Sequence, residues 1–227
     1  ASPVPLPAAV SGQQPHGLGL DPNGSYYYVV TWGDHKVYRI SPDASGGTAT
    51  ATDLAFPTPP SGTRSVNGLW VDPYAEVIYV TSTISGTSNF IHSAPLRAPS
   101  SSDMWTQVNV QPNGASVYYQ NIVAHGTLFY VTDTMGNRVY RVAKTVNATP
   151  ELLQTFGSFP GGLAIDDSGY LYAVERGSGA NDGKIYRFAP GSATPTTAPT
   201  SPPASTVTPA ATAAPTQAPT STPGATS

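Results

Sequence analysis

The chain has 227 residues, no cysteine and a formal net charge of -3. This length fits one domain of repeat or barrel type, and the lack of cysteine excludes a disulfide scaffold. The weak negative charge argues against a nucleic-acid partner, and no run approaches the ~20 apolar residues of a membrane span. Charged residues are only 10% of the chain, against a usual ~25%, so polar uncharged residues or attached sugars must hydrate the surface.

The first predicted element is an edge strand at the N-terminus. In the segment PVPLPAAV, Pro3, Pro5 and Pro7 stand at every second residue. Their missing N–H groups would therefore lie on one side, which an edge strand can turn away from the sheet.

The body of the chain repeats one unit four times. In the first copy, the apolar segment HGLGLD, a DPNG turn, the run YYYVVT and the segment KVYRI follow one another. The run YYYVVT recurs as VIYVTS, LFYVTD and YLYAVE, and the segment KVYRI recurs as RVYRV and KIYRF. β-Branched and aromatic runs bounded by such turns predict strands. The aligned tyrosines Tyr28, Tyr79, Tyr130 and Tyr172 are predicted to pack between neighbouring units.

The outer strands complete the predicted architecture. The first three units each have a fourth predicted strand, formed by TATATDLAF, WTQVNV and ELLQTF. The fourth unit has no such segment before the region rich in Pro, Thr, Ser and Ala begins at residue 189. Units of about 40 to 55 residues match propeller blades. We therefore predict an all-β fold: a small, four-bladed β-propeller over residues 1–188, closed by the N-terminal strand so that no sheet edge stays open.

Residues 189–227 form a second predicted region, rich in Pro, Thr, Ser and Ala. This segment contains no charged, aromatic, Leu or Ile residue and has almost nothing apolar to bury. We predict an extended tail or linker of polyproline II type, which at ~3.1 Å per residue reaches roughly 120 Å. Its spaced AP, TP and SP pairs resemble mucin-like stalks and hydroxyproline-rich glycoproteins of algal and plant surfaces.

The repeated unit resembles the NHL-repeat β-propellers over about residues 10–188. The resemblance is carried by PHGL at 15–18, by YVTD at 130–133 with NRV at 137–139, and by PGGL at 160–163. Members of that family commonly have six blades. Four units therefore indicate either a small ring or part of a larger one, and the predicted closing strand favours the small ring.

Five polar side chains are candidate binding residues at one mouth of the predicted channel: His16, Asn67, Asn121, Asp133 and Glu175. The alignment places the first three where inner strands begin and the two carboxylates where second strands end. Carboxylates near one mouth can bind a hard cation such as calcium, but capping of the strand ends is the simpler interpretation.

The resemblance also implies two activities that the residues argue against. An NHL-type peptide-amidating lyase holds its metal with histidines from several blades, whereas the four histidines here stand at unlike positions. Lactonase-like propellers hold calcium with a Glu, Asn and Asp set, and no inner-strand glutamate accompanies Asn67 and Asn121. No catalytic triad order, nucleophile elbow or phosphate loop is present. We expect no catalytic residue, metal or other cofactor, with a lyase or hydrolase as an alternative.

Glycosylation is the most specific chemistry that the sequence suggests. Sequons begin at Asn23 and Asn147, both in predicted surface turns. The tail supplies O-glycosylation or hydroxyproline-glycan candidates: Thr194, Pro195, Thr196, Thr197, Pro199, Thr200, Ser201, Pro202, Pro203, Thr208, Pro209, Pro215, Thr216, Pro219, Thr220 and Pro223.

These features predict a secreted, cell-surface or wall glycoprotein with a structural role. We expect it to be a non-enzymatic subunit of a glycan-coated filament, associating with itself through the tail and the propeller surface. The alternative is a propeller binding module, displayed on a stalk, for a carbohydrate or a protein.

Overall fold

The computed structural model describes residues 6–42, 49–57, 64–84, 88–97, 100–112, 117–146, 148–177, 179, 182–191 and 195–196. In these residues the chain forms four four-stranded antiparallel sheets, each with its strands in sequence order. The predicted all-β, four-bladed propeller-like arrangement is confirmed. No helix among the described residues is long and apolar enough to span a bilayer.

Blade 1 shows how the repeated unit folds. It consists of β1 (Pro15–Leu20), β2 (Tyr27–Thr31), β3 (Val37–Ser41) and β4 (Thr50–Asp53). The β1–β2 turn closes because the Asp21 carbonyl accepts the Gly24 N–H, while Gly24 takes a φ of 70° that favours glycine. The predicted apolar, Tyr/Val-rich and alternating segments thus form three successive strands.

The other blades repeat this pattern. Blade 2 consists of β5 (Arg64–Asp72), β6 (Val77–Ile84), β7 (Ser88–Pro95) and β8 (Thr106–Pro112), with a 3-10 helix at Ser102–Met104. Blade 3 consists of β9 (Tyr119–His125), β10 (Leu128–Asp133), β11 (Arg138–Ala143) and β12 (Glu151–Thr155). Blade 4 consists of β13 (Pro160–Ile165), β14 (Leu171–Glu175), β15 (Lys184–Phe188) and β16 (Pro195–Thr196).

The blades stand side by side, and their inner strands pack in sequence: β1 on β5, β5 on β9, and β9 on β13. Each pair of neighbours encloses a hydrophobic cluster, which we call junction 1–2, junction 2–3 and junction 3–4. The buried centres of these junctions include Val37, Ile91 and Val139, respectively. The core therefore lies between the sheets, as the strand pattern predicts for a propeller.

Three of the four aligned tyrosines are buried between blades as predicted: Tyr28, Tyr79 and Tyr130. The Tyr28 hydroxyl donates to the carbonyl of Leu96 in blade 2, and burial raises the pKa of Tyr28 to about 12. Tyr172, on blade 4, is only half-buried, and its hydroxyl donates to Asp166 of the same blade at 3.0 Å. The difference follows from position, because Tyr172 lies on the face of blade 4 that points away from blade 3.

Only part of the predicted N-terminal closing strand lies within the described residues. Residues 1–5 lie outside the described residues, and Ala8–Ser11 forms a short helix, α1. Two alanines favour the helical turn, and Val10 is buried against Val29, Tyr38 and Ile40 on the outward face of blade 1. Residues 8–11 therefore cover a sheet face, and the pairing of residues 1–5 with blade 4 stays a prediction.

The edge position in blade 4 is taken by β16, which pairs Thr196 with Arg187 and Pro195 with Phe188. These two residues come from the segment predicted as the tail. A proline suits this position because an outermost strand needs no ladder bond on its outer side. The tail from residue 197 onward lies outside the described residues.

Candidate functional site

The predicted mouth is the end of the blades where inner strands begin and second strands end. In each blade the inner strand carries a register shift at this point, typical of a β-bulge. At each bulge, two residues of the inner strand lie opposite one residue of the second strand. The first of these two residues is His16 in blade 1, Asn67 in blade 2, Gln120 in blade 3 and Gly161 in blade 4. The alignment of Asn67 with Asn121 was therefore wrong by one position, because the bulge inserts a residue that the repeat pattern does not show.

Asn67 lies in a buried hydrogen-bond network between blades 2 and 3. Its Nδ2 donates to the Tyr119 carbonyl at 2.8 Å and to Thr83 Oγ1 at 3.2 Å. The Tyr118 hydroxyl donates to Asn67 Oδ1 at 2.8 Å. Asn89 extends the network by donating to the Val117 carbonyl at 2.9 Å. Both ends of the Asn67 amide are thus used in holding blade 3 to blade 2.

Asn121 performs a similar task one junction further on. Its Nδ2 donates to the Gly161 carbonyl of blade 4 at 2.8 Å, and its backbone N–H donates to Thr132 Oγ1 at 2.9 Å. Gly68 is its true equivalent, because its N–H donates to Thr81 Oγ1 at 2.8 Å in the same way. Calcium binds through oxygen, so an ion at Asn67 would compete with the Tyr118 hydroxyl for Asn67 Oδ1.

Asp133 is fully buried at the end of β10. Its Oδ1 accepts the backbone N–H groups of Tyr118 at 2.8 Å and Gly136 at 3.0 Å. Its Oδ2 has no hydrogen-bond partner among the described residues. Burial raises the pKa of Asp133, because desolvation of the charged carboxylate outweighs the backbone donors and the charge of Arg138.

Glu175 occupies the corresponding position in blade 4 but is better supplied with donors. Its Oε1 accepts the N–H groups of Gly157 at 2.7 Å and Ser158 at 3.0 Å, and its Oε2 accepts the Tyr186 hydroxyl at 2.7 Å. Burial alone would raise the pKa of Glu175, but the Tyr186 and Gly157 bonds and the charge of Lys184 together lower it. Each carboxylate therefore fastens the chain segment that enters its own blade.

His16 is the one exposed member of the predicted set. Its Nε2 lies 3.1 Å from the Gln120 side-chain nitrogen, and its ring stacks on Trp32 at 6.1 Å. The five predicted residues therefore share one end of the molecule without meeting at one point. Among the described residues, no group of three or more histidine or acidic side chains is placed to hold a metal ion.

A cleft of about 300 Å³ opens at the opposite end, between the hairpin turns of blades 2, 3 and 4. Trp70 and the exposed Tyr74 supply aromatic surface, and His125, Asp166 and Asp167 supply polar groups. Aromatic faces beside carboxylates suit ligands with both apolar and hydroxyl surfaces. The repeat pattern predicts only turns at these segments and does not indicate a cleft.

A signal for the cleft does exist in the repeat. Trp70 pairs with Tyr79, the aligned tyrosine of blade 2. The residues that pair with the aligned tyrosines of blades 1, 3 and 4 are smaller: Gly19, Val123 and Ala164. This large aromatic residue, at a position otherwise occupied by smaller ones, packs against the clusters of junctions 2–3 and 3–4 and also lines the cleft.

Of the glycosylation candidates, Asn23 is exposed in the β1–β2 turn, where an acceptor must lie. Asn147 lies outside the described residues, as do Thr194 and the tail candidates from Thr197 onward. Pro195 and Thr196 form β16.

No protein-family model matches the chain, and no curated protein matches its sequence. Solved structures do match its fold, and these neighbours are β-propeller proteins. A chain in the crystal structure of a nidogen/laminin complex aligns with a TM-score of 0.58 and 17% identity, covering 80% of this chain and 62% of that one. The PQQ-bound aldose sugar dehydrogenase of Streptomyces coelicolor aligns with a TM-score of 0.55 and 20% identity, covering 84% of this chain and 66% of that one.

Virginiamycin B lyase from Staphylococcus aureus gives a TM-score of 0.56 at 17% identity, covering 78% of this chain and 53% of that one. At these identities the matches show the propeller fold alone. This chain also spans only about half to two thirds of the length of these neighbours.

Proposed function

We propose that this chain is a structural module: an extracellular glycoprotein whose propeller body serves assembly rather than catalysis. The observation that supports it best is at the mouth. Asn67, Asn121 and Glu175 direct their polar atoms to backbone groups and to neighbouring blades. Side chains bound in this way hold a scaffold together, whereas a catalytic group must keep an atom available to a substrate.

The tail supports the extracellular part of the proposal. A Pro, Thr and Ser segment without charge or aromatic residues is typical of O-glycosylated stalks. The low charge of the whole chain is compatible with a surface hydrated by sugars, and Asn23 offers an exposed acceptor on the body. A filament or wall subunit would carry its glycans on such a tail.

The intact mass of the protein from its native source tests the glycoprotein claim. We expect a mass well above the 23.5 kDa of the chain, returning to that value after deglycosylation. The same chain made in bacteria is the control and should show 23.5 kDa. Electron microscopy of the native material should show regular assemblies. A native mass equal to the chain mass, with only isolated particles, would contradict the proposal.

The cleft favours a second candidate function, a binding module for a carbohydrate. Tyr74, which is 95% exposed, offers a ring to the face of a sugar beside Asp167. Replacing Tyr74 by Ala should abolish binding to a glycan array, whereas Val146→Ala, at another exposed apolar residue, should leave binding unchanged. Absence of any array signal for the unaltered chain would remove this candidate.

A further inference from the structure

Junction 1–2 shows how inner strands fit together. Leu69 and Val71 of blade 2 pack against the small residues Gly17 and Gly19 of blade 1. A Cβ placed on Gly19 would lie 3.6 Å from the Val71 Cβ and only 2.4 Å from Leu69 Cδ2. Large side chains of one inner strand therefore fill the space left by glycines of the preceding one.

The outward face of blade 1 carries the same large side chains, and no further blade covers them among the described residues. By strand pairing, Leu18 and Leu20 are equivalent to Leu69 and Val71. Leu18 is 66% exposed and Leu20 is 58% exposed, whereas Leu69 and Val71 are each 8% exposed. The helix α1 covers β2, β3 and β4 on this face but leaves the inner strand open.

The outward face of blade 4 carries the matching small residues. Gly162 and Ala164 are equivalent to Gly17 and Gly19, both are exposed, and a Cβ on Gly162 would meet nothing within 4 Å. Beside them, Ile185 is 58% exposed, although its equivalents Val37, Ile91 and Val139 are fully buried. Blade 4 therefore ends in a surface of the kind that blades 1, 2 and 3 present to their neighbours.

We propose that a second copy of this chain completes the propeller, with blade 4 of each copy packed against blade 1 of the other. Leu18 and Leu20 would then enter the space at Gly162 and Ala164, repeating the contact of Leu69 and Val71 with Gly17 and Gly19. The α1 segment, with exposed Leu6, would face Ile185 at the outer part of the same junction. This contact would continue the side-by-side packing of the three internal junctions, with the close fit of large side chains against small residues seen in junction 1–2.

The number of copies follows from ring closure. The contact joins two different faces, so repeating it either closes a ring or extends a filament. Each copy contributes four blades, and propellers have typically four to about eight. Within the described residues of one copy both faces are exposed, and two copies would give eight blades around a twofold axis along the channel. This inference rests on the proposed assembly role, because it names the partner that such a role needs.

A disulfide between the two faces tests the junction directly. The chain has no cysteine, so the variant Leu20→Cys with Ala164→Cys carries only the designed pair. Its internal equivalent, Gly19→Cys with Val71→Cys, is the positive control, because the 3.6 Å between those Cβ positions matches a disulfide. Oxidation should convert the test variant to a covalent dimer and the control to an intrachain disulfide within a monomer.

Three other results would overturn the proposal. An intrachain disulfide in the test variant would mean that the chain closes on itself. A ladder of trimers and larger species would mean an open filament, and no disulfide at all would mean that the faces do not meet. The glycoprotein role is measured separately by native mass and imaging, so failure of one does not imply failure of the other.

Opposite charges provide a second test that does not depend on oxidation. Leu20→Glu alone and Ala164→Lys alone should each give monomers by sedimentation, because both junctions of the ring then bury an unpaired charge. Mixing the two variants should restore the dimer through one paired and one unaltered junction. The control Val146→Glu changes an exposed apolar residue elsewhere and should remain dimeric. Dimers that survive both single substitutions would contradict the assigned faces.

Discussion

The internal junctions and the two end faces of this molecule use the same positions in opposite surroundings. Ile91 is fully buried in junction 2–3, and its equivalent Ile185 lies 58% exposed on blade 4. Gly68 is enclosed by blade 3, and its equivalent Gly162 meets nothing. The repeat therefore encodes a packing position, and only the presence of a neighbouring blade decides whether that position contributes to stability.

The largest expected difference is in side-chain truncation. Ile91→Ala should lower the free energy of unfolding by about 2–5 kcal/mol, because it leaves a cavity between two sheets. Ile185→Ala should lower it by less than about 0.5 kcal/mol in a single copy, because the side chain is already in water. Chemical denaturation at a protein concentration that dissociates any dimer measures both. Equal losses would show that blade 4 is covered.

Adding a methyl group at the paired glycines should give the next largest effect. A Cβ on Gly68 would lie 2.1 Å from the Gln120 carbonyl oxygen, so Gly68→Ala must push blades 2 and 3 apart. We expect a loss of about 1–3 kcal/mol, as for other overpacked cores. Gly162→Ala should be close to neutral. Thermal unfolding of the two variants under the same conditions makes the comparison.

The buried amide of Asn67 tests how far the mouth is structural. Asn67→Ala should cost about 1–3 kcal/mol, because the Tyr119 carbonyl and the Tyr118 hydroxyl lose a partner. Asn23→Ala, in an exposed turn of the unglycosylated chain, should cost less than about 0.5 kcal/mol. Urea denaturation gives both values, and an unaffected Asn67 variant would remove the main support for the scaffold interpretation.

The two mouth carboxylates should respond to pH in opposite directions, with the smallest effects. The pKa of Glu175 is lowered by folding, so its stabilising contribution is present above about pH 4.3 and is lost as pH falls through its folded pKa. The pKa of Asp133 is raised, so its contribution is present below about pH 3.9 and is lost as pH rises through its folded pKa.

Denaturation of Glu175→Gln and Asp133→Asn across pH 3 to 7 separates the two cases, with the unaltered chain as the reference. The stability deficit of Glu175→Gln should shrink toward acid pH. The free energy of unfolding of Asp133→Asn should instead increase relative to that of the unaltered chain as pH rises. Parallel profiles for both variants would contradict the assignment of these environments.

The fold could be predicted because the repeat acts through local pattern. Tyr28, Tyr79 and Tyr130 recur within β-branched runs, and such runs bounded by turns specify strands wherever they occur. The register at the mouth could not be predicted, because a bulge residue such as Gln120 leaves no periodic signal. The exposure of Leu18 could not be predicted either, since its sequence surroundings match those of the buried Leu69.

The N-terminal helix and the cleft show a second limit. Alternating prolines predict an edge strand, yet burial of Val10 on blade 1 determines what the segment after Pro7 does. The cleft depends on three turns from different blades meeting around Trp70. Both features arise from contacts between distant parts of the chain, which a local pattern does not contain.

The most direct test of the four-blade arc with two open faces is the rate of thiol labelling at equivalent positions of blades 1 and 2. At a dilution that keeps copies apart, a Leu20→Cys variant should react with a maleimide as fast as an exposed thiol. A Val71→Cys variant should be strongly protected, since junction 1–2 covers that position. Protection of both positions at every dilution would contradict the account, because it would mean that the four blades close on themselves.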